Sequence, residues 1–235
     1  MSDIRDKIVA LHGPAILRKS AMNIRGGGGV FERVMSGKGY RTALEIGTYR
    51  GVSAAEMSRY CDRVITIDLK HGKIEQNGEK FDRHAFWASL GITNIELHLV
   101  SNDKEKAELV KRLDFDFAFV DGAHDHTVKN DFEIVKRCGH VLFHDADDNR
   151  LRVDKPHAGN CVYEFLETLP REQLEFMDIF ALWTEPKPVA EALEPVATKQ
   201  EPNVATASNH EQDAAHEIAP VMSKRASKRR SKRGA

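Results

Sequence analysis

Four acidic residues stand where a sequence of this kind could do chemistry: Glu45, Asp68, Asp121 and Asp145. Each lies in or just after a short apolar run that reads as a β-strand, at residues 43–46, 64–67, 115–120 and 141–143. In an open parallel sheet the carboxyl ends of the strands face one crevice, and ligands bind there. A carboxylate in that position can accept the hydroxyls of a ribose or hold a divalent cation. His124 and His144 stand beside two of the four. An imidazole titrates near neutral pH and can take a proton from a hydroxyl. Carboxylates and histidines gathered at strand ends make a site for proton transfer on a bound small molecule.

The elements that must position these groups begin with the stretch 42–69. After the first run comes the turn Gly47-Thr48-Tyr49-Arg50-Gly51. Its glycines permit positive φ and leave the backbone open to a ligand. Ser53 and Glu56, three apart, read as the capping box of a helix, and a second apolar run closes on Asp68. Strand, tight turn, helix, strand and terminal carboxylate form the first βαβ unit of a nucleotide-binding α/β domain. Asp68 is placed to accept both hydroxyls of a ribose. The spacing G-x-x-x-G lacks the G-x-G-x-x-G of an NAD or FAD pyrophosphate site.

The pattern Glu45-x-Gly47-x-Tyr49-x-Gly51-x-Ser53 resembles the class I S-adenosylmethionine (SAM)-dependent methyltransferases. The likeness is to the catechol and caffeoyl-CoA O-methyltransferases and their small bacterial and phage relatives, over about residues 42–148. The resemblance implies SAM held by Glu45, Gly47, Tyr49, Gly51, Ser53 and Asp68, with Asp121 beside it and Ser101 and Asn102 at the adenine edge. It implies a divalent metal, Mg or Mn, on Asp121 and Asp145. Ala146 stands where the family has an asparagine, which removes one ligand and leaves metal dependence open. His124 stands where the family places a lysine base, and His144 is a second candidate base. The reaction implied is methyl transfer to a hydroxyl of a small molecule or sugar.

The remaining elements fit a Rossmann-like, doubly wound, mostly parallel sheet. Residues 4–11 read as an amphipathic helix ended by Gly13-Pro14. Gly26 to Gly29 is too flexible for an element interior and reads as a hinge or a loop over the site. Residues 80–90 read as a helix with Phe81, Ala85, Ala88 and Leu90 on its apolar side, and 95–100 as the third strand. A helix capped at Ser101-Asn102-Asp103 runs to about 113; others cover 128–135 and 158–169. Residues 175–184 read as a last strand or strand pair. Only one convincing strand follows Pro170, so the sheet edge is expected to be truncated or irregular.

The 235 residues suit one α/β domain with an appendage: 1–40 as N-terminal helices and glycine hinge, 41–184 as the methyltransferase-like domain, 185–235 as a disordered linker. No run is long enough to span a bilayer, and the amino terminus lacks a signal-peptide pattern. Cys61, Cys138 and Cys161, widely spaced, read as reduced thiols, so a cytoplasmic setting is expected. Seven of the 35 Lys and Arg residues fall in the last dozen positions, leaving 28 against 36 Asp and Glu in the rest. An acidic body argues against a globally basic nucleic-acid surface, while the basic tail could contact phosphates. Two alternatives therefore stand beside O-methylation: a nucleic-acid methyltransferase guided by the tail, and a non-catalytic SAM-binding module. The oligomeric state is not encoded in any legible signal.

Overall fold

The computed structural model describes residues 4–17, 27–71, 81–122, 125–147 and 161–186. The elements are α1 (Ile4–His12), α2 (Gly27–Met35), β1 (Thr42–Ile46), α3 (Val52–Met57), β2 (Arg63–Leu69), α4 (Arg83–Ser89) and β3 (Ile95–Val100). Then come α5 (Asp103–Val110), β4 (Phe117–Val120), α6 (Thr127–Val135), β5 (His140–Phe143), α7 (Cys161–Leu166), β6 (Leu174–Met177) and β7 (Phe180–Thr184). The sheet has seven strands in the order β3-β2-β1-β4-β5-β7-β6. β1 to β5 are parallel, while β7 runs antiparallel to both β5 and β6.

The period-two alternation of a strand decides what each face carries. Ala43, Val64, Phe117, Phe119, Leu142 and Phe180 lie on the face covered by α1 to α4, where Phe31 of α2 meets Phe119 edge-on at 5.0 Å. Leu44, Ile46, Ile65, Ile67, Val120, Val141 and Phe143 lie on the other, under α5, α6 and α7. Glu45 shares the parity of Ala43, and Thr66 that of Val64, so both point toward α3. Between α5 and α6, Lys106 Nζ lies 2.6 Å from Asp131 Oδ1 and 2.8 Å from Asp103 Oδ1. Burial alone would lower the pKa of this ammonium, but the adjacent carboxylates outweigh it and hold the lysine above its ordinary value.

Several expectations are corrected. The sheet edge is not truncated: β6 and β7 form a hairpin in which Met177 pairs with Phe180 across the two-residue turn Asp178-Ile179, with Asp178 at φ 56°. Two-residue hairpin loops demand such backbone angles. Gly27 to Gly29 are not a hinge but the first turn of α2. Burial of Val30, Phe31, Val34 and Met35 overrides the poor helix propensity of glycine. On α4 the buried side chains are Arg83, Phe86 and Trp87, whereas Ala85 and Ala88 are exposed. β4 starts at Phe117, because the Asp116 carboxylate instead accepts the N–H groups of Arg41 (2.8 Å) and Thr42 (3.0 Å) at the entry to β1. α5 ends at Val110 rather than 113. No helix among the described residues is long and apolar enough to cross a membrane. The 185–235 linker lies outside the described residues after Pro186.

Candidate active site

Backbone bonds beyond the strand ladders bring the carboxyl ends into line. Gly47 N–H donates to Ile67 O, Asp121 N–H to Ile46 O, and His144 N–H to Val120 O, at 2.9, 2.9 and 3.1 Å. The ends of β2, β1, β4 and β5 therefore lie side by side, carrying Asp68, the glycine turn, Asp121 and His144 in that order.

Glu45 is fully buried beneath the turn. Its carboxylate accepts from Ser53 Oγ and Thr66 Oγ1; with Thr66 donating there, Thr48 Oγ1 is left to donate to Thr66. Burial pushes Glu45 up to about 8, against the two hydroxyl bonds that favour its charge, with Asp121 and Asp68 adding repulsion. The capping box expected of Ser53 and Glu56 does not form. The helix starts two residues earlier, at Val52, with Gly51 as a left-handed N-cap that makes no side-chain bond. Ser53 is spent on Glu45, and Glu56 accepts from Arg59 and Tyr60.

The glycines carry the positive φ expected of them and also let neighbouring groups pack against the turn. Gly47 has φ 98°, and a Cβ there would stand 2.1 Å from Asp121 O. Gly51 has φ 72°, and its Cβ would fall 2.5 Å from the indole of Trp87, whose Nε1–H donates to Gly51 O at 2.8 Å. Between them Tyr49 takes φ 44°, its N–H donating to Asp68 Oδ2 at 3.2 Å.

Asp68 stands at the end of β2 as its spacing predicts, and it already has company. Arg83, reaching down from α4, donates to Asp68 Oδ2 at 2.7 Å and to Tyr49 O at 2.5 Å. The guanidinium is 5% exposed and the carboxylate 15%, so this is a largely desolvated ion pair. Arg83, Trp87, Thr48 and Thr66 are the members of the site that sequence reasoning missed. Ser101 and Asn102 are exposed beyond β3. Asn102 Oδ1 caps α5 by accepting Glu105 N–H (3.0 Å), while Glu105 Oε2 accepts Ser101 N–H (2.7 Å). The pair resembles a capping box, with the returning bond made to Ser101, one residue before the N-cap.

At the far side of the site, His144 Nδ1 lies 2.9 Å from Asp121 Oδ1 and 3.4 Å from Asp145 Oδ1. The ring is buried and packs 5.2 Å from Phe180. Burial would lower its pKa, but Asp121 foremost, then Asp145 and Asp147, hold it above the ordinary histidine value. Asp145 takes φ 54°, and Ala146 turns into the core, its N–H bonded to Ile179 O at 2.8 Å. His124 lies outside the described residues.

Among the described residues the donor set does not fit the divalent metal expected on Asp121 and Asp145. Among the described residues no three His, Cys, Asp or Glu side chains are arranged to hold an ion. The imidazole nitrogen lies between the two carboxylates, where a cation would sit, and the buried methyl of Ala146 offers no donor. The arrangement suits another chemistry: a carboxylate-backed imidazole beside the glycine turn.

Residues 44–146 match the family model described as a methyltransferase domain. Solved structures of similar fold include the O-methyltransferase from Bacillus cereus in complex with S-adenosylhomocysteine (SAH). It is 14% identical with a TM-score of 0.55, and the match covers 79% of this chain and 92% of that one. The O-methyltransferase TomG from Streptomyces achromogenes, involved in tomaymycin synthesis and bound to SAM, is 18% identical with a TM-score of 0.55, covering 78% and 90%. The SAH-bound methyltransferase PaMTH1 from Podospora anserina is 16% identical with a TM-score of 0.50, covering 77% and 86%. No curated protein matches the sequence.

Proposed function

We propose that this class I methyltransferase domain transfers a methyl group from SAM to a hydroxyl of a small molecule, with His144 as the proton acceptor. The observation that carries the reading is the Asp121–His144 pair, 2.9 Å apart, beside the turn that packs Gly47 on Asp121. The half-buried Asp68 and Tyr49 and the exposed Ser101 and Asn102 fit a nucleoside lying along the strand ends. Asp68 would accept from the ribose, and Ser101 and Asn102 would flank the adenine.

Bound SAM supplies an electrophilic methyl carbon on a sulfonium sulfur. His144 would take the proton of the acceptor hydroxyl as its oxygen bonds to that carbon, the carbon–sulfur pair staying on sulfur. Asp121, 2.9 Å from Nδ1, orients the neutral ring so that Nε2 is the accepting nitrogen, and stabilises the imidazolium that results.

A second reading rests on the basic C-terminal residues Lys224 to Arg233, which would bring a nucleic-acid acceptor to the same site with a steep salt dependence. The test of the main reading is calorimetric titration of SAM and SAH into wild-type protein and Asp68→Ala, followed by a screen of hydroxyl acceptors. Micromolar binding that weakens at least tenfold in the variant supports it. Absence of any binding in wild type sinks it.

A further inference from the structure

Arg83 and Trp87 of α4 are four residues apart, so their side chains leave one face of the helix. Both end on the glycine turn. Arg83 Nε–H donates to Tyr49 O at 2.5 Å, and Trp87 Nε1–H to Gly51 O at 2.8 Å. The same guanidinium also holds Asp68 Oδ2 at 2.7 Å, the oxygen that accepts Tyr49 N–H. Turn, strand end and helix are thus knotted through one residue, Tyr49, whose φ of 44° a non-glycine residue seldom adopts unaided.

We propose that α4 is a clamp that sets the shape of the cofactor turn, with Arg83 and Trp87 as positioning residues for Tyr49, Gly51 and Asp68. The inference rests on the methyl-transfer reading for its ligand, though not for its geometry. Packing alone does not account for Arg83. Burying a guanidinium is costly, and an apolar residue of similar volume would fill the space at lower cost. What the charge adds is direction: it fixes one oxygen of Asp68 and one carbonyl of the turn at the same time. The clamp is itself braced, since Lys7 Nζ donates to Leu90 O just past α4 and His12 Nε2 bonds Ser89 Oγ at 2.7 Å.

The test uses the full chain and three variants, Arg83→Gln, Arg83→Lys and Trp87→Phe. In ligand-free protein, amide exchange at Tyr49 to Gly51 should quicken about tenfold or more in Arg83→Gln, beyond any change in global unfolding. SAH Kd should rise about tenfold or more in Arg83→Gln, and less in Arg83→Lys, which keeps the charge but loses the two-point grip. The chain has two tryptophans, so an SAH-induced emission change that disappears in Trp87→Phe assigns the signal to the clamp. A role confined to stability would lower the unfolding midpoint while leaving exchange at the turn and the Kd of the folded protein unchanged. That result in Arg83→Gln and Trp87→Phe overturns the proposal. Should Arg83→Gln not fold, the other two variants decide by the same readings. Should wild type take up no SAH, the methyl-transfer reading falls, and the exchange measurement still decides the clamp.

Discussion

Gly47 and Asp121 meet backbone to backbone: a Cβ on Gly47 would stand 2.1 Å from the Asp121 carbonyl oxygen. The glycine is needed to let β1 and β4 close on each other at the site, as well as for its φ of 98°. Gly47→Ala should therefore destabilise the domain by about 2–4 kcal/mol, combining left-handed strain with overpacking against backbone. Urea denaturation checks it; a loss under about 0.5 kcal/mol would mean that the strands can part without cost.

His144 lies between Asp121 and Asp145, so Mn2+ should produce no binding signal in wild-type protein, by calorimetry or electron paramagnetic resonance. Chelators should leave SAH affinity unchanged. Micromolar Mn2+ binding by wild type would contradict the placement of the imidazole. His144→Ala should lower methyl transfer about 10²–10⁴-fold, as loss of a general base does, with SAH Kd little altered.

Glu45 gives the protein a pH dependence of known sign. Its folded pKa of about 8 exceeds the ordinary 4.5, so the folded state binds the proton more tightly than the unfolded chain. The associated stability is complete below 4.5 and is lost as pH rises toward 8. For a group this buried the ceiling is about 5 kcal/mol at 1.36 kcal/mol per unit. Glu45→Gln should flatten the slope between pH 5 and 8. Parallel stability curves for wild type and variant would refute the assignment.

Lys106 and Asp131 form a buried bond between α5 and α6. Asp131→Ala strands the ammonium and should cost about 3–5 kcal/mol, at the low end because Asp103 stays as a partner. The double variant Lys106→Met with Asp131→Leu should cost less than Asp131→Ala alone. A double-mutant cycle with no coupling would show that the two side chains act independently.

The strand ends were legible because each buried strand is an apolar run broken by a carboxylate, a pattern that local sequence states outright. Asp68, Asp121 and His144 stand where that pattern puts them. Arg83 was hidden for a physical reason. A cation in an amphipathic stretch is assigned to the wet face, and its partner Asp68 lies fifteen residues upstream in another element. Ser53 misled in the opposite way, since its spacing to Glu56 suits a cap while its hydroxyl is claimed by a strand residue. The β6–β7 hairpin was obscured because Asp178 alone breaks the apolar run from Phe176 to Trp183, the second turn residue, Ile179, being apolar itself. Roles at the site follow less readily than positions, because Glu45 and Gly51 face protein rather than solvent.

The bonds that hold the glycine turn have a bearing on how the chain acquires its site. A fragment ending at Leu69 would contain every residue of the turn, together with Ile67, which receives the Gly47 amide. It would lack Arg83, Trp87 and Asp121, the three groups that grip the turn from outside. The motif most recognisable along the chain is therefore held only in part by its own residues. Binding competence should appear late in folding, when β4 docks beside β1 and α4 closes over the turn. In a growing polypeptide, that point comes only after residue 121 has emerged.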